Sequence, residues 1–286
     1  MILIDWFLIE KGRTLKHTIT AIVVNYNQSD QLHRAIQSAI NQTQSFDEIL
    51  IYDDASKDDS VPKIKDLIRN QKNAKLIELK KNLGPNKLWM LGLKDSVSSF
   101  VFFMSSHNYY DLGLVKEFHK LISLHPDAHM ISSNVKVLSK HDIPKALKLP
   151  FNPNLTLITP EIVKQHLSMG VFTFFGGGNI LMRETVNKEK LLQEKLQWHA
   201  DWLVYFLLAT RYPVAISKRY FCTQTFKVKR YSNSMFNQNK QIEVTRQFLT
   251  IINRNFPKTY EIFKRYGVLP FYSFEVLFFI LRSKKF

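Results

Sequence analysis

Residues 18–24, TITAIVV, form a β-branched and almost unbroken apolar run, the pattern of a strand covered on both faces. After the polar NYNQSD, Leu32, Ala35, Ile36, Ala39 and Ile40 recur at helical spacing, and Ser29 is placed to cap that helix. EILIY at 48–52 is a second buried-strand pattern, closed by the polar loop DDASKDDS. A helix around 61–69, a strand KLIEL at 75–79, a helix around 87–96 and a strand FVFFM at 100–104 continue the alternation. Such alternation predicts right-handed crossovers and an α/β fold, a Rossmann-like, mostly parallel sheet flanked by helices, with its ligand site at the carboxyl ends of the strands. NYN, DDAS, NLGPN and SSHN all fall at those ends.

Beyond Asp111 the pattern loosens. A helix near 112–124, a short strand at 128–132 and a Pro- and Asn-marked connection around 144–160 lead to FFGGGNILMR, a glycine turn feeding a strand. WHADWLVYFLLATRYP predicts an apolar helix that starts near Asp201 and stops before Pro213. From Asn239 the chain is helical in pattern and basic, so the expected organisation is an α/β domain over 1–235 and a basic helical C-terminal extension over 236–286.

With 286 residues and 45% apolar content the chain can bury one large core. Its single cysteine, Cys222, excludes an internal disulfide framework and suits a small buried hydrophobe. The net charge of +16 calls for an anionic partner, and twelve Lys and Arg against three Glu over 227–286 put much of the surplus at the C-terminus. No recognition motif or basic-aromatic platform accompanies the charge, so no nucleic-acid partner is expected. No run approaches the roughly 18 apolar residues of a spanning helix. The opening MILIDWFLIEKGR lacks the basic start and cleavage site of an export signal, so a cytoplasmic location is expected.

The succession VVNYN, AINQT, ILIYDDASKDDS, NLGPN, FVFFMSSHNYY, a glycine turn with MR, and HADW resembles the inverting family 2 glycosyltransferases of GT-A fold over about residues 18–235. The resemblance implies a nucleotide lying across the ends of the first strands. Asn25, Tyr26 and Asn27 would border base and ribose, and Asp53 or Asp54 would accept their hydrogen bonds. Asn82 and Gly84 match the next nucleotide-binding element. Where the family often has Arg and Asn, this chain has Trp89 and Met90, which suit core residues. Asp201 in HADW matches the family's general base, against the plainer reading of an acid favoured by a helix N-terminus. Trp198 and Trp202 beside it are suited either to stacking on a sugar or to filling the core.

Two departures from the family stand out. Its acidic metal motif falls on Ser105, Ser106, His107 and Asn108, with no acid among them. Mg²⁺ or Mn²⁺ prefers anionic oxygen ligands, so no metal cofactor is expected, and His107 is the one candidate ligand. The histidine usual near the diphosphate is also absent, and FKVKRYS offers Lys227, Lys229 and Arg230 to neutralise that group instead. The processive-synthase signature Gln-X-X-Arg-Trp is missing.

The expected function is transfer of a single sugar, with inversion, from a UDP- or dTDP-linked donor to a glycan or lipid-linked acceptor. The rival expectation is a catalytically inactive relative that binds a glycan or stabilises a partner. VLPFYSFEVLFFILRSKKF at 268–286 combines an apolar stripe with terminal cations, so the tail suits either an anionic membrane surface, peripheral on its inner face, or the protein's own core.

Overall fold

A computed structural model of the chain describes residues 17–138, 143–171, 174, 176–225 and 237–266. The first half follows the predicted alternation: β1 (Ile19–Asn25), α1 (Leu32–Ile40), β2 (Glu48–Asp53), α2 (Ser60–Ile68), β3 (Ala74–Glu78), α3 (Pro85–Asp95) and β4 (Phe100–Ser105). β1 lies between β2 and β4, parallel to both, and β2 pairs in parallel with β3. Ile22 and Val24 of β1 enter one apolar cluster, whereas Ile19, Ala21 and Val23 enter a second on the opposite face. Burial on both faces explains the unbroken apolar run. Gly92 lets α3 sit close on this sheet, since a Cβ there would meet Ile22 Cγ2 at 2.4 Å.

Ser29 does not cap α1. The backbone N–H groups of Gln31 and Leu32 both go to the Gln28 carbonyl, at 2.9 and 3.0 Å, and the Ser29 N–H instead goes to Asp58 Oδ2 at 2.9 Å. The helix thus opens two residues later than the serine suggests.

The second half comprises β5 (Tyr109–Tyr110), α4 (Leu114–Leu124), β6 (Met130–Leu138), β7 (Pro144–Leu147), β8 (Leu157–Ile158), α5 (Pro160–Ser168), β9 (Asn179–Met182), α6 (Arg183–Lys188), a 3₁₀ segment (Glu194–His199), α7 (Ala200–Ala209) and β10 (Val214–Thr225). The main strand order is β3-β2-β1-β4-β9-β6-β10-β5. β9 runs antiparallel to both β4 and β6, whereas β10 is parallel to β6, so the sheet is mixed but mostly parallel. The strand expected at 128–132 extends to Leu138 because β10, unforeseen in the sequence, pairs along its length.

The described part of the extension, α8 (Gln238–Asn255) and α9 (Pro257–Tyr266), docks on α7 through aromatic rings. Phe263 lies 4.3 Å from Phe206 between centroids, and Phe248 and Phe263 both contact Trp202. Trp202 therefore fills the core. Lys227, Lys229, Arg230 and the tail at 268–286 lie outside the described residues. No described helix is long and apolar enough to cross a membrane.

Candidate active site

At the carboxyl ends of β1, β2 and β4 lies a cleft of about 660 Å³. One wall is the turn after β1. Asn27 takes a left-handed φ of 51° there, and its side-chain oxygen accepts the Lys57 N–H at 2.7 Å. Tyr26, 45% exposed, leaves its ring open to a ligand. Asn25, Tyr26 and Asn27 all line the cleft, as expected.

The two aspartates have separate tasks. Asp53 is buried behind the wall and does not line the cleft; its Oδ2 accepts from Asn25 Nδ2 at 2.8 Å and Ser56 Oγ at 2.7 Å, and its Oδ1 accepts the Ser56 N–H at 2.9 Å. Those bonds fix the β1 and β2 loop ends and turn Asp53 away from the cleft. Asp54 lines the cleft and accepts the N–H groups of Leu83 and Gly84 at 2.7 and 2.8 Å. It thereby pins the NLGP turn, whose Gly84 has φ 83°, and brings Asn82 and Gly84 to the cleft.

From this turn α3 carries Leu88 and Trp89 into the wall, and Trp89 stacks on Phe103 at 5.1 Å. Trp89 is thus a cleft residue, whereas Met90 faces a different hollow. The indole Nε1 of Trp89 is buried with no hydrogen-bond partner among the described residues, as are Asn25 Oδ1, Gln28 Oε1 and Gln197 Oε1. All four residues line this cleft. Buried polar atoms are ordinarily paired, so these four are notable among the residues around the cleft.

Ser105, Ser106, His107 and Asn108 form the floor. The Ser106 N–H goes to the Val24 carbonyl at 3.2 Å, Thr225 Oγ1 donates to the His107 carbonyl at 2.6 Å, and Asn108 Oδ1 accepts the Thr225 N–H at 3.3 Å. The floor is therefore tied to β1 and β10 mainly by backbone groups. Among the described residues no group of three or more His, Cys, Asp or Glu converges to hold a metal. Two serines, an imidazole and an amide supply no anionic oxygen, so this donor set does not fit a hard divalent ion.

Asp201, in the first turn of α7, also lines the cleft. Burial raises its carboxyl from 3.8 to about 6, although Oδ1 accepts the Trp202 N–H at 2.8 Å. Oδ2 faces Gly176, 3.4 Å from where a Cβ would stand on that glycine. The next residue, Gly177, has φ 75°, and a Cβ there would lie 2.9 Å from Cys222 Sγ. Gln224 Nε2 donates to the Gly176 carbonyl, which fastens this close backbone approach to β10.

Upstream of Asp201, Gln197 is held at φ 48°, ψ −120°, a conformation that costs a non-glycine residue on the order of 1–3 kcal/mol. Asn86 Nδ2 donates to its carbonyl at 2.7 Å. Trp198 lines the cleft, and its Nε1 donates to His199 Nε2 at 3.1 Å. Burial lowers His199 to about 4, so it is neutral at physiological pH and packs beside Phe248. Sequence reasoning missed Gln197, Gln224, Gly176 and Trp89. Gln197 adjoins HADW, Gly176 belongs to the glycine turn, Trp89 follows NLGPN and Gln224 precedes FKVKRYS, and those neighbourhoods were the only available signal.

The model of Glycosyl transferase family 2 matches residues 20–190. A cholesterol galactosyltransferase of Borreliella burgdorferi is 22% identical over 270 residues, covering 91% of this chain and 74% of the relative. An uncharacterized glycosyltransferase of Haemophilus influenzae is 30% identical over 91 residues, 32% of this chain and 36% of that protein. Among solved structures, S. aureus TarS 1–349 in complex with UDP superposes with a TM-score of 0.63 at 19% identity, over 82% of this chain and 66% of that one. Its complex with UDP-GlcNAc gives 0.66 at 18% identity, over 82% and 67%. The likeness to TarS shows the shared GT-A fold.

Proposed function

Because the chain belongs to glycosyl transferase family 2, a family of transferase enzymes, we propose that its cleft binds a nucleotide-sugar and transfers one sugar, with inversion, to a glycan or lipid-linked acceptor. The observation that carries this reading is the Asp201 carboxylate, raised to about 6, lining the same cleft as the strand ends. Asn25, Tyr26, Asn27 and the turn pinned by Asp54 hold the nucleotide. Asp201 takes the proton of the acceptor hydroxyl, whose oxygen attacks the anomeric carbon from the face opposite the diphosphate. The bond from that carbon to the diphosphate oxygen breaks, and the electron pair leaves with the nucleoside diphosphate.

A general base works best with a pKa near the operating pH, and burial moves Asp201 in that direction. The absence of a side chain at Gly176 keeps the space beside Asp201 Oδ2 clear. Lys227, Lys229 and Arg230 neutralise the leaving diphosphate in this reading, and the acid-free floor supports a reaction without a divalent ion. TarS in its complexes with UDP and UDP-GlcNAc supports a uridine donor, and the relative named a cholesterol galactosyltransferase supports a lipid-borne acceptor. Such an acceptor suits an enzyme peripheral on the inner membrane face.

The test is release of nucleoside diphosphate from a panel of UDP- and dTDP-sugars, with and without chelator and a lipid-linked acceptor. At least one donor is expected to turn over. A panel that binds and is never cleaved would favour the inactive, glycan-binding alternative.

A further inference from the structure

A second hollow, of about 810 Å³, lies on the other side of α3 from the cleft. α3, α6 and the 3₁₀ segment form one wall and α8 the other. Leu93, Val186 and Leu192, all buried in the core, and the half-buried Ile251 make its lining apolar. Its rim is basic on both sides: Lys190 and Lys195 stand on the first wall, Arg246 and Arg254 on the second. All four are exposed.

The single acid in the lining, Glu194, is paired with Lys87 at 3.4 Å. Lys190, Lys195 and Arg254 form no ion pair among the described residues. An ordinary solvated surface intersperses both signs of charge; here cations face one another over an apolar recess, an arrangement that an anion between them relieves. Lys190 also takes a left-handed φ of 51° just after α6, where the Leu191 N–H closes back on the Val186 carbonyl at 3.0 Å. Glycine is the favoured residue at that position, so the lysine there bears local backbone strain.

We propose that this hollow is a binding site for an anionic lipid, with the phosphate held between the facing cations and the adjoining hydrocarbon on the apolar lining. The volume lies within the range of small-molecule sites. The apolar lining distinguishes the lipid from a free phosphate, which would leave those side chains unused. α3 contributes Leu88 and Trp89 to the cleft and Met90 and Leu93 to the hollow, so a lipid held here sets the cleft beside the bilayer. The site is separate from the donor cleft and does not depend on how Asp201 acts.

The experiment is flotation of the full chain with phosphatidylcholine vesicles, with and without phosphatidylglycerol. The double variant Lys195→Glu/Arg254→Glu reverses one cation on each wall. Lys116→Glu/Lys120→Glu makes the same charge change on exposed positions of α4, which packs on the opposite face of the sheet. Ile251→Asp places a charge on the apolar lining. Binding is expected with phosphatidylglycerol and to be weakened by about tenfold or more in the groove pair, since each basic residue at an anionic surface is worth about fivefold. Ile251→Asp should weaken it also, and the α4 pair should weaken it far less. UDP affinity, measured on every variant, should not change, which reports the cleft and the fold separately. Equal loss in the two pairs, binding indifferent to the groove pair, or equal binding to neutral vesicles overturns the proposal.

Discussion

Asn86 donates from Nδ2 to the carbonyl of Gln197 at 2.7 Å, joining the first turn of α3 to the kink from which Asp201 is presented. The same amide reaches the Glu194 carbonyl at 3.2 Å, and Asn86 is only 4% exposed. Asn86→Ala strands two carbonyls in a place with little water, at a cost on the order of 1–3 kcal/mol. Denaturant unfolding should show that loss. Because the bond positions Gln197 rather than the nucleotide, turnover should fall more than UDP affinity in calorimetry. A variant that lost UDP binding and kept its turnover number would contradict this positioning role.

Asp201→Asn retains an oxygen for the Trp202 N–H and removes the base. Transfer should fall by about 10² to 10⁴ while UDP still binds. In the wild-type enzyme the carboxyl must be ionised to accept the acceptor's proton. The turnover rate should therefore drop as pH falls through about 6. A pH–rate profile flat down to pH 5, or full turnover in a correctly folded Asp201→Asn protein, would return Asp201 to the status of a helix-terminal acid.

The same shift has a consequence for stability. Asp201 is raised from 3.8 to about 6, so between those values the folded state binds more protons than the unfolded one, and this contribution falls as pH rises. His199 is lowered from 6.5 to about 4, so its contribution rises with pH over nearly the same window. The two oppose each other between about pH 4 and 6. Asp201→Asn removes one of them and should be more stable than wild type at neutral pH. The variant should also lose stability more steeply on acidification, as the contribution of His199 stands alone. Thermal unfolding over pH 4 to 7 tests this, and parallel curves for the two proteins would refute it.

β1, β2 and β4 were legible because burial on both their faces leaves an apolar run that few other environments produce. β10 was not, for a local reason. Lys218 and Arg219 interrupt its apolar positions where its pairing with β6 shifts register between Ser217 and Tyr220, so the alternation breaks in the middle of the strand. The site divides similarly. Asp54, Gly84 and Asp201 stand in patterned stretches and occupy the cleft as expected, but the resemblance could not tell Asp53 from Asp54, because partners from Asn25 and Ser56 decide which carboxylate turns away. The left-handed φ of Gln197 leaves no mark in composition or spacing, since a tertiary bond from Asn86 accompanies it.

Asp54 offers both oxygens to the backbone of the NLGP turn, at 2.7 Å to Leu83 and 2.8 Å to Gly84. Asp54→Asn leaves one acceptor and turns an amide N–H₂ toward the other N–H. Bonds to a charged acceptor are about twice as strong as neutral ones, so the turn should loosen by about 1–3 kcal/mol. UDP affinity should fall roughly tenfold or more for a loss of that size, since 1.4 kcal/mol corresponds to tenfold. Unchanged affinity in calorimetry would separate this turn from nucleotide binding.

Diphosphate binding should survive chelation. Ser105, Ser106, His107 and Asn108 supply no anionic oxygen, and their floor is anchored by bonds to Val24 and Thr225 instead. Losing a divalent ion together with its two carboxylates leaves the local charge sum nearly unchanged, but the leaving diphosphate still needs neutralising, and the sequence FKVKRYS offers Lys227, Lys229 and Arg230 for that. Lys229→Ala/Arg230→Ala should weaken UDP far more than uridine, because only the former carries the diphosphate, and should lower turnover in the same preparation. Calorimetry of UDP with the wild-type protein should give the same affinity in EDTA and in Mn²⁺. Affinity that appears only with Mn²⁺, and that His107→Ala then removes, would show that the imidazole holds the ion after all.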